Sequence, residues 1–437
     1  MAGESGIFSG KYNVALGASN MRDMTSGDNN TFIGNANAIC ATTGSRNIVM
    51  GTHNAWGNGA GTGADNIVLG HCSFFCWNSA HTNVIIGKCA GHDMSSGTKN
   101  VLIGNNAGQK LTTAAGNVAL GDQALGNGNV TGEENVAFGC CAGYNLTSST
   151  HSFMVGHKAM GTATATGNHN LALGYYALTD LTSGSCNIAL GRMAGQNIVG
   201  GAQNIFIGSQ AGEDDDDGNY QIFIGCGAGM NHQGDTNIGL GFQALAGSST
   251  PGDNSGTDNV AIGMYAGQGN TSGTQNVFIG RQAGNTNTSG NRNIAIGYDV
   301  ELPSATGHDQ FAIGCGSSRW ISGDSSFHIK PGAGIKDSTD SVGTSGQVLQ
   351  STGSAVVWAA SSGGGSGDFN VGLTSSLVAN PTGVGVTVLT LPATSGKSYT
   401  IESIHVANVA TGNTEVNIVA AFEMNGGDTS YFAYNVP

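Results

Sequence analysis

Glycines recur down this chain at a fixed interval, each closing a short apolar run, and a period of this size limits the fold more than any other feature of the sequence. The series runs Gly17, Gly34, Gly51, Gly70, Gly87, Gly104, Gly121, Gly139, Gly156, Gly174, Gly191, Gly208, Gly225, Gly241, Gly263, Gly280, Gly297 and Gly314. These are 18 copies, and 12 of the 17 intervals share one length, that from Gly87 to Gly104. Four residues before the glycine stands Asn in 15 copies, with Ser152, Gln221 and Gln310 as the exceptions. The clearest pairs are Asn13 with Gly17, Asn47 with Gly51, Asn83 with Gly87, Asn100 with Gly104, Asn117 with Gly121, Asn187 with Gly191, Asn204 with Gly208, Asn259 with Gly263, Asn276 with Gly280 and Asn293 with Gly297. A repeat of this length is one coil of a solenoid, which cannot bury its apolar face alone and must stack on its neighbours.

Between Asn and Gly lie three residues that read as a strand. The first and third, such as Val101 and Ile103 or Ile205 and Ile207, share one face by the two-residue period and are expected to fill the coil interior. The middle residue then faces outward, yet it is apolar in 17 of 18 copies, so both faces need cover. The intervening segments, such as Asp93 to Lys99, are rich in Ser, Thr, Gly and Asn and carry no helical period. Further copies of the same chain are the remaining cover. Threefold association would bury the middle residues, Phe206, Phe223 and Phe278 among them, against neighbouring chains. An alanine three residues after the glycine, as at Ala107, Ala142 and Ala283, anchors a weaker second segment. Stacked asparagines can form an amide ladder, and the glycine supplies a corner at positive φ or a close backbone approach.

Composition narrows the function classes. With 74 Gly but 6 Pro in 437 residues and no three-residue period, the chain is not collagen, and 39% hydrophobic content in regular runs argues against disorder. Charged residues are 10% of the chain and the net charge is −14, so no basic stripe exists for nucleic acid. No run of 18 apolar residues is present for membrane insertion, and residues 1 to 10 do not read as a signal peptide, which points to synthesis in a cytoplasm. The cysteines, Cys40, Cys72, Cys76, Cys89, Cys140, Cys141, Cys186, Cys226 and Cys315, are odd in number and lack a disulfide framework, so free thiols packed as small apolar residues are expected.

Catalytic and metal chemistry finds little footing. Solenoid glycosidases need paired carboxylates, and Glu133, Glu134 and Glu301 fall in turns where adjacent residues diverge. Gly-x-Gly patterns such as Gly57 to Gly61 lack the surroundings of a nucleotide fingerprint. His71, Cys72, Cys76 and His81 have a spacing suggestive of zinc, but Phe74, Phe75 and Trp77 between them read as loop packing, and no metal is expected there. The run Glu213 to Asp217 reads as a solvated acidic turn rather than a calcium loop. No catalytic residue, cofactor or metal is assigned.

The run Asn-Val-Ala-Ile-Gly-x-x-Ala-Gly at Asn259 to Gly267, approximated at Asn13, Asn135 and Asn293, resembles the head repeats of trimeric autotransporter adhesins and similar repeats in phage tail fibres. The resemblance covers residues 13 to 317 and implies a left-handed parallel β-roll in each of three chains. Gly343 to Trp358, reading GTSGQVLQSTGSAVVW, is similar to a segment common in phage tail fibres. Without a signal peptide or an outer-membrane anchor segment, the phage likeness is favoured over the adhesin one.

The expected organisation is all-β: an N-terminal segment 1–12, an 18-coil parallel β-solenoid rod 13–317, a connector 318–367 ending in the flexible Ser361 to Gly367, and a small antiparallel β-sandwich 368–437 with strands at 384–391, 399–409, 414–422 and 429–435. The chain stops directly after the last of these, so a continuation is conceivable. The expected function is a structural, homotrimeric virion fibre, assembled in the host cytoplasm beside other tail or capsid proteins and attaching to a host surface receptor. A secreted bacterial adhesin and a glycan-degrading tailspike are the alternatives. Contact with the receptor would fall on irregular excursions such as His53 to Ala60, His71 to His81 and Glu213 to Asp217, or on the C-terminal sandwich.

Overall fold

Each of the eighteen apolar runs forms a β-strand, from Val14–Ala18 and Thr31–Asn35 to Ile294–Tyr298 and Phe311–Cys315. The computed structural model describes residues 9–360 except 40, 58–60, 249–253, 327, 332–334, 337–338, 340, 345–346 and 352–355, and in addition the backbone of 416–423 and 429–436. No helix occurs among the described residues. Successive strands pair in parallel and in register, so that Val101, Leu102 and Ile103 meet Val118, Ala119 and Leu120 one coil on. This is a parallel β-solenoid whose usual turn is the step from Asn83 to Asn100, a separation of 17 in sequence.

The corners are built from left-handed backbone. In the coil of Gly104, for example, Lys99 before the repeat Asn has φ 58°, and Asn106 and Gly108 after the glycine have φ 54° and 57°. Non-glycine residues adopt this region at a cost, which direct bonding to the coil beneath offsets here: the Lys99 amide donates to the His81 carbonyl at 3.1 Å and that of Asn106 to Lys88 at 2.8 Å. The repeat glycine is required twice over. Gly104 has φ 141°, and a Cβ there would lie 2.3 Å from the Gly121 carbonyl oxygen of the next coil.

The two strand faces are exchanged relative to the sequence expectation. The middle residue points into the coil: Phe32, Ile85, Leu102, Phe206, Phe223 and Phe278 are fully buried. The residues on either side of it point outward and stay part-exposed, as with Ile279 at 37% and Ile294 at 42%. The physical reason is volume. The interior of a closed coil is a fixed volume, so the inward strand position varies in size and the turn positions facing it compensate. Where Phe206 enters, Gly195 and Gly212 flank it, and a Cβ on either would fall 2.7 Å and 2.4 Å from the ring. Phe278 is flanked in the same way by Gly267 and Gly284. Where the strand offers only Ala119 or Ala172, the matching turn position is Leu125 or Leu178, both fully buried. The anchoring alanines, Ala107, Ala142 and Ala283, lie in this same core rather than against another chain.

In the first four coils the anchoring position is polar: Asn20, Asn37, Asn54 and Ser73. They form a second ladder, with the Asn37 backbone N–H donating to Asn20 Oδ1 at 3.1 Å and that of Asn54 to Asn37 Oδ1 at 3.2 Å.

The segment after Gly314, expected as a connector, carries strands of its own. Ser318–Gly323 folds back antiparallel on Phe311–Cys315 and is followed by Ile329–Pro331 in the same sheet. The last coil thus does not end on a bare parallel edge, the usual liability of such a sheet. Gln347–Ser351 and Val356–Ala360 form a hairpin within the segment that resembles phage fibres. The chain divides into two units, Met1–Ser362 and Gly363–Pro437. In the second, Val416–Glu423 pairs antiparallel with Thr429–Val436. The expected linker 361–367 and strands 384–391 and 399–409 lie outside the described residues.

Candidate functional site

The repeated asparagines are buried from Asn30 onward, Asn13 in the first coil being half-buried, and they are bonded to one another along the stack. Asn100 illustrates the unit. Its Oδ1 accepts the Asn117 backbone N–H at 2.8 Å, and its Nδ2 donates to Asn83 Oδ1 at 3.1 Å and to the Ala114 carbonyl at 2.9 Å. The same acceptance recurs from Asn13 to Asn30, Asn47 to Asn66, Asn187 to Asn204, Asn259 to Asn276 and Asn276 to Asn293. Each asparagine thereby satisfies backbone groups of the next coil that would otherwise be orphaned away from water. The exception at Ser152 is compensated locally. Its Oγ accepts the Asn170 N–H at 3.2 Å, while Ser149 Oγ donates to the Gly167 carbonyl at 2.6 Å, so two serines divide one asparagine's work.

The outward strand residues make two apolar columns along the rod, including Ile48 and Met50, Ile67 and Leu69, Ile205 and Ile207, and Val277 and Ile279. With about 4.8 Å between parallel strands, eighteen strands span roughly 80 Å. A stripe about 10 Å wide along that length offers roughly 800 Å², beyond the ~300–600 Å² of the largest patch on typical monomers and equal to one partner's share of a standard interface.

Seven residues after the repeat glycine, the core column changes character. It reads Met94, Leu111, Leu146, Leu181 and Ile198 in earlier coils, then Asp215 and His232, with Asn270 and Asn287 following at the same place. Asp215 was expected in a solvated turn but is fully buried, its Oδ1 accepting the Gly218 N–H at 2.9 Å and its Oδ2 without a partner. Burial pushes its carboxyl well above the usual range, against the opposing Gly218 bond. His232, one coil on, is fully buried, and neither ring nitrogen has a partner of hydrogen-bonding geometry, although the Asn237 side chain and Gly256 backbone lie near. Burial pushes its imidazole down to about 4. The signal that could have located this pair was the column itself, since an offset of seven from Gly208 and Gly225 continues an apolar series. Around Asp215, Asp216 and Asp217 are exposed, with Asp217 Oδ1 accepting the Gly200 N–H at 3.0 Å, whereas Glu213 is also buried and accepts from Gln210 Nε2 at 2.7 Å.

The other sequence candidates are dispersed. Glu134 meets His151 at 2.9 Å, and Glu301 accepts the Thr286 hydroxyl, with no second carboxylate paired to either among the described contacts. His71 and His81 do not converge with the cysteines as a set of four. His81 Nδ1 accepts the Ala64 N–H at 2.9 Å, His71 lies 3.8 Å from the Cys72 sulfur, and Cys76 turns to the next coil, where its sulfur, a His92 nitrogen and an Asp93 oxygen all lie within 4.8 Å of one another. The cysteines other than Cys40, which lies outside the described residues, are free, as expected, but not buried: Cys186, Cys226 and Cys315 are exposed and the rest half-buried. The positions beside the repeat glycine point out of the coil, so they do not need an apolar packing residue. Of the excursions expected to meet a receptor, 58–60 lie outside the described residues, while His53, Trp56, His71 and Phe75 form a surface cluster of rings, His53 stacking on Trp56 at 5.5 Å.

No protein-family model matches the sequence, no curated protein is significantly similar to it, and no solved structure matches the fold.

Proposed function

We propose that the protein is the rod of a phage-type virion fibre, a non-enzymatic homotrimer that attaches to the host surface or spaces an attaching part away from the particle. The observation that carries this reading is the pair of outward apolar columns, interrupted over eighteen strands only at Thr31. A partner covering them must match a step of about 4.8 Å over roughly 80 Å, and a parallel copy of this chain carries that step throughout. Three copies, each offering one doubly apolar sheet to a common axis, enclose the columns completely. The virion assignment rests on the likeness of Asn259 to Gly267 and of Gly343 to Trp358 to phage-fibre segments. Weak contacts by three chains per fibre and several fibres per particle would sum through effective concentration to firm attachment.

Particles assembled without the protein test the reading. They are expected to package their genome, lack a rod in electron micrographs and adsorb to host cells at a reduced rate. Normal adsorption would reduce the rod to a spacer, a complete absence of the protein from purified particles would remove the virion assignment, and shortening of host envelope polysaccharide by the purified protein would overturn the non-enzymatic reading.

A further inference from the structure

We infer that Cys76, His92 and Asp93 form a binding site for a thiophilic divalent metal ion of the zinc class. The three donors come from two adjacent coils: Cys76 and Asp93 each stand six residues after their repeat glycines, Gly70 and Gly87, and His92 precedes Asp93. Equivalent places one coil apart are stacked, which gathers a thiol, an imidazole and a carboxylate with their ligand atoms all within 4.8 Å. A tetrahedral zinc site separates its donors by about 3.3–3.8 Å, given bond lengths of about 2.0 to 2.3 Å, so the cluster is close to the size such a site requires.

The backbone beneath is held. The Cys76 N–H donates to the His92 carbonyl at 2.9 Å, which locks the two coils at the site, and the Asp93 N–H donates to the Gln109 carbonyl at 2.8 Å. The His92 ring is clamped face to face with Phe75, 5.0 Å between centroids and 4° between planes, and Asp93 Oδ1 lies 2.6 Å from His92 Nδ1. That contact orients the imidazole as carboxylates do at zinc-bound histidines, and leaves the second Asp93 carboxylate oxygen to ligate. All three residues are half-buried, so an ion has an entry path and a fourth position remains open to water. Cysteine ligates as its thiolate, so metal uptake releases the thiol proton to solvent and forms the metal–sulfur bond in its place. The site does not depend on the fibre reading, because its ligands belong to one chain.

Titration of the full chain with zinc, and separately with cobalt as a spectroscopic probe, tests the inference. Expected are one ion per chain, about one proton released per ion, and a thiolate-to-cobalt charge-transfer band. Cys76→Ser should lower zinc affinity at least 100-fold and abolish the band, Asp93→Asn should lower affinity about 10-fold, and Cys186→Ser, at an exposed thiol elsewhere, should change neither. Circular dichroism of each variant separates lost binding from lost folding, and Asp93→Asn, being isosteric, keeps the test open if Cys76→Ser fails to fold. Absence of saturable zinc binding, a band that survives Cys76→Ser, or equal losses in Cys76→Ser and Cys186→Ser would overturn the site.

Discussion

Replacing Asn100 with alanine removes one rung from the ladder while leaving the backbone, the strand and the outer columns in place. Two buried backbone groups lose their partners, the Asn117 N–H and the Ala114 carbonyl, and Asn83 Oδ1 keeps only the Asn100 backbone N–H. Orphaning a buried polar group costs about 1–3 kcal/mol, so Asn100→Ala should destabilise the coil by about 2–6 kcal/mol. Asn100→Ser retains an acceptor for the Asn117 N–H, as Ser152 does for Asn170, and should cost about half as much. Each coil bonds mainly to its neighbours, so the loss should be local. Hydrogen exchange read by mass spectrometry should show faster exchange in residues 100–120, with distant coils such as 259–297 unaffected. Guanidinium unfolding gives the corresponding free energy. A change within the roughly 0.5 kcal/mol typical of featureless surface substitutions, with unaltered exchange, would refute the reasoning. It would mean that the ladder bonds are replaceable and that the asparagine is retained for its turn preference alone.

The repeat glycine makes a sharper contrast. Gly104→Ala drives a Cβ to 2.3 Å from the Gly121 carbonyl oxygen at φ 141°, where no side chain can yield, whereas Gly316→Ala at φ 57° meets nothing within 4 Å. The first should prevent folding of its coil and the second cost about 1 kcal/mol, measured by thermal melting. The buried Asp215 and His232 should leave opposite marks on the pH profile. The His232 folded pKa is depressed to about 4 from 6.5, so the unfolded chain binds the extra proton and stability falls as pH drops from about 6.5 towards about 4, by about 3 kcal/mol at most. His232→Asn should abolish that slope, and an unchanged slope would assign it elsewhere. The Asp215 folded pKa is raised above 3.8, so its cost appears as pH climbs above that value, and Asp215→Asn should melt higher than the parent at neutral pH. Asparagine already occupies this place at Asn270 and Asn287, and a lower melting temperature would contradict the burial argument.

The period, the strands and the ladder were legible because each rests on residues that recur: a glycine whose missing Cβ admits the next coil's carbonyl, and an asparagine whose amide reaches both neighbours. Which strand face lies inward was not legible from apolarity, since Val101, Leu102 and Ile103 are apolar alike. Size held the answer. Phe206 between Gly195 and Gly212, and Ala119 opposite Leu125, are the trade-offs of a closed volume, while the outward columns, free of that constraint, are mostly Val, Ile and Leu and also admit Phe138, Phe153 and Phe311. The acidic run misled for a related reason. Charge argues for solvent, but the coil fixes Asp215 at an inward place whatever its side chain. The Cys76, His92 and Asp93 cluster joins neighbouring coils, so it follows from coil stacking and is invisible to a search for ligand spacing within one loop.

The central proposal is that the apolar face left along a one-dimensional stack is covered by copies of the same chain. Sedimentation equilibrium on the purified protein measures this directly. The account predicts a single species of three times 43.8 kDa that persists on dilution, and a stable, soluble particle of 43.8 kDa would contradict it.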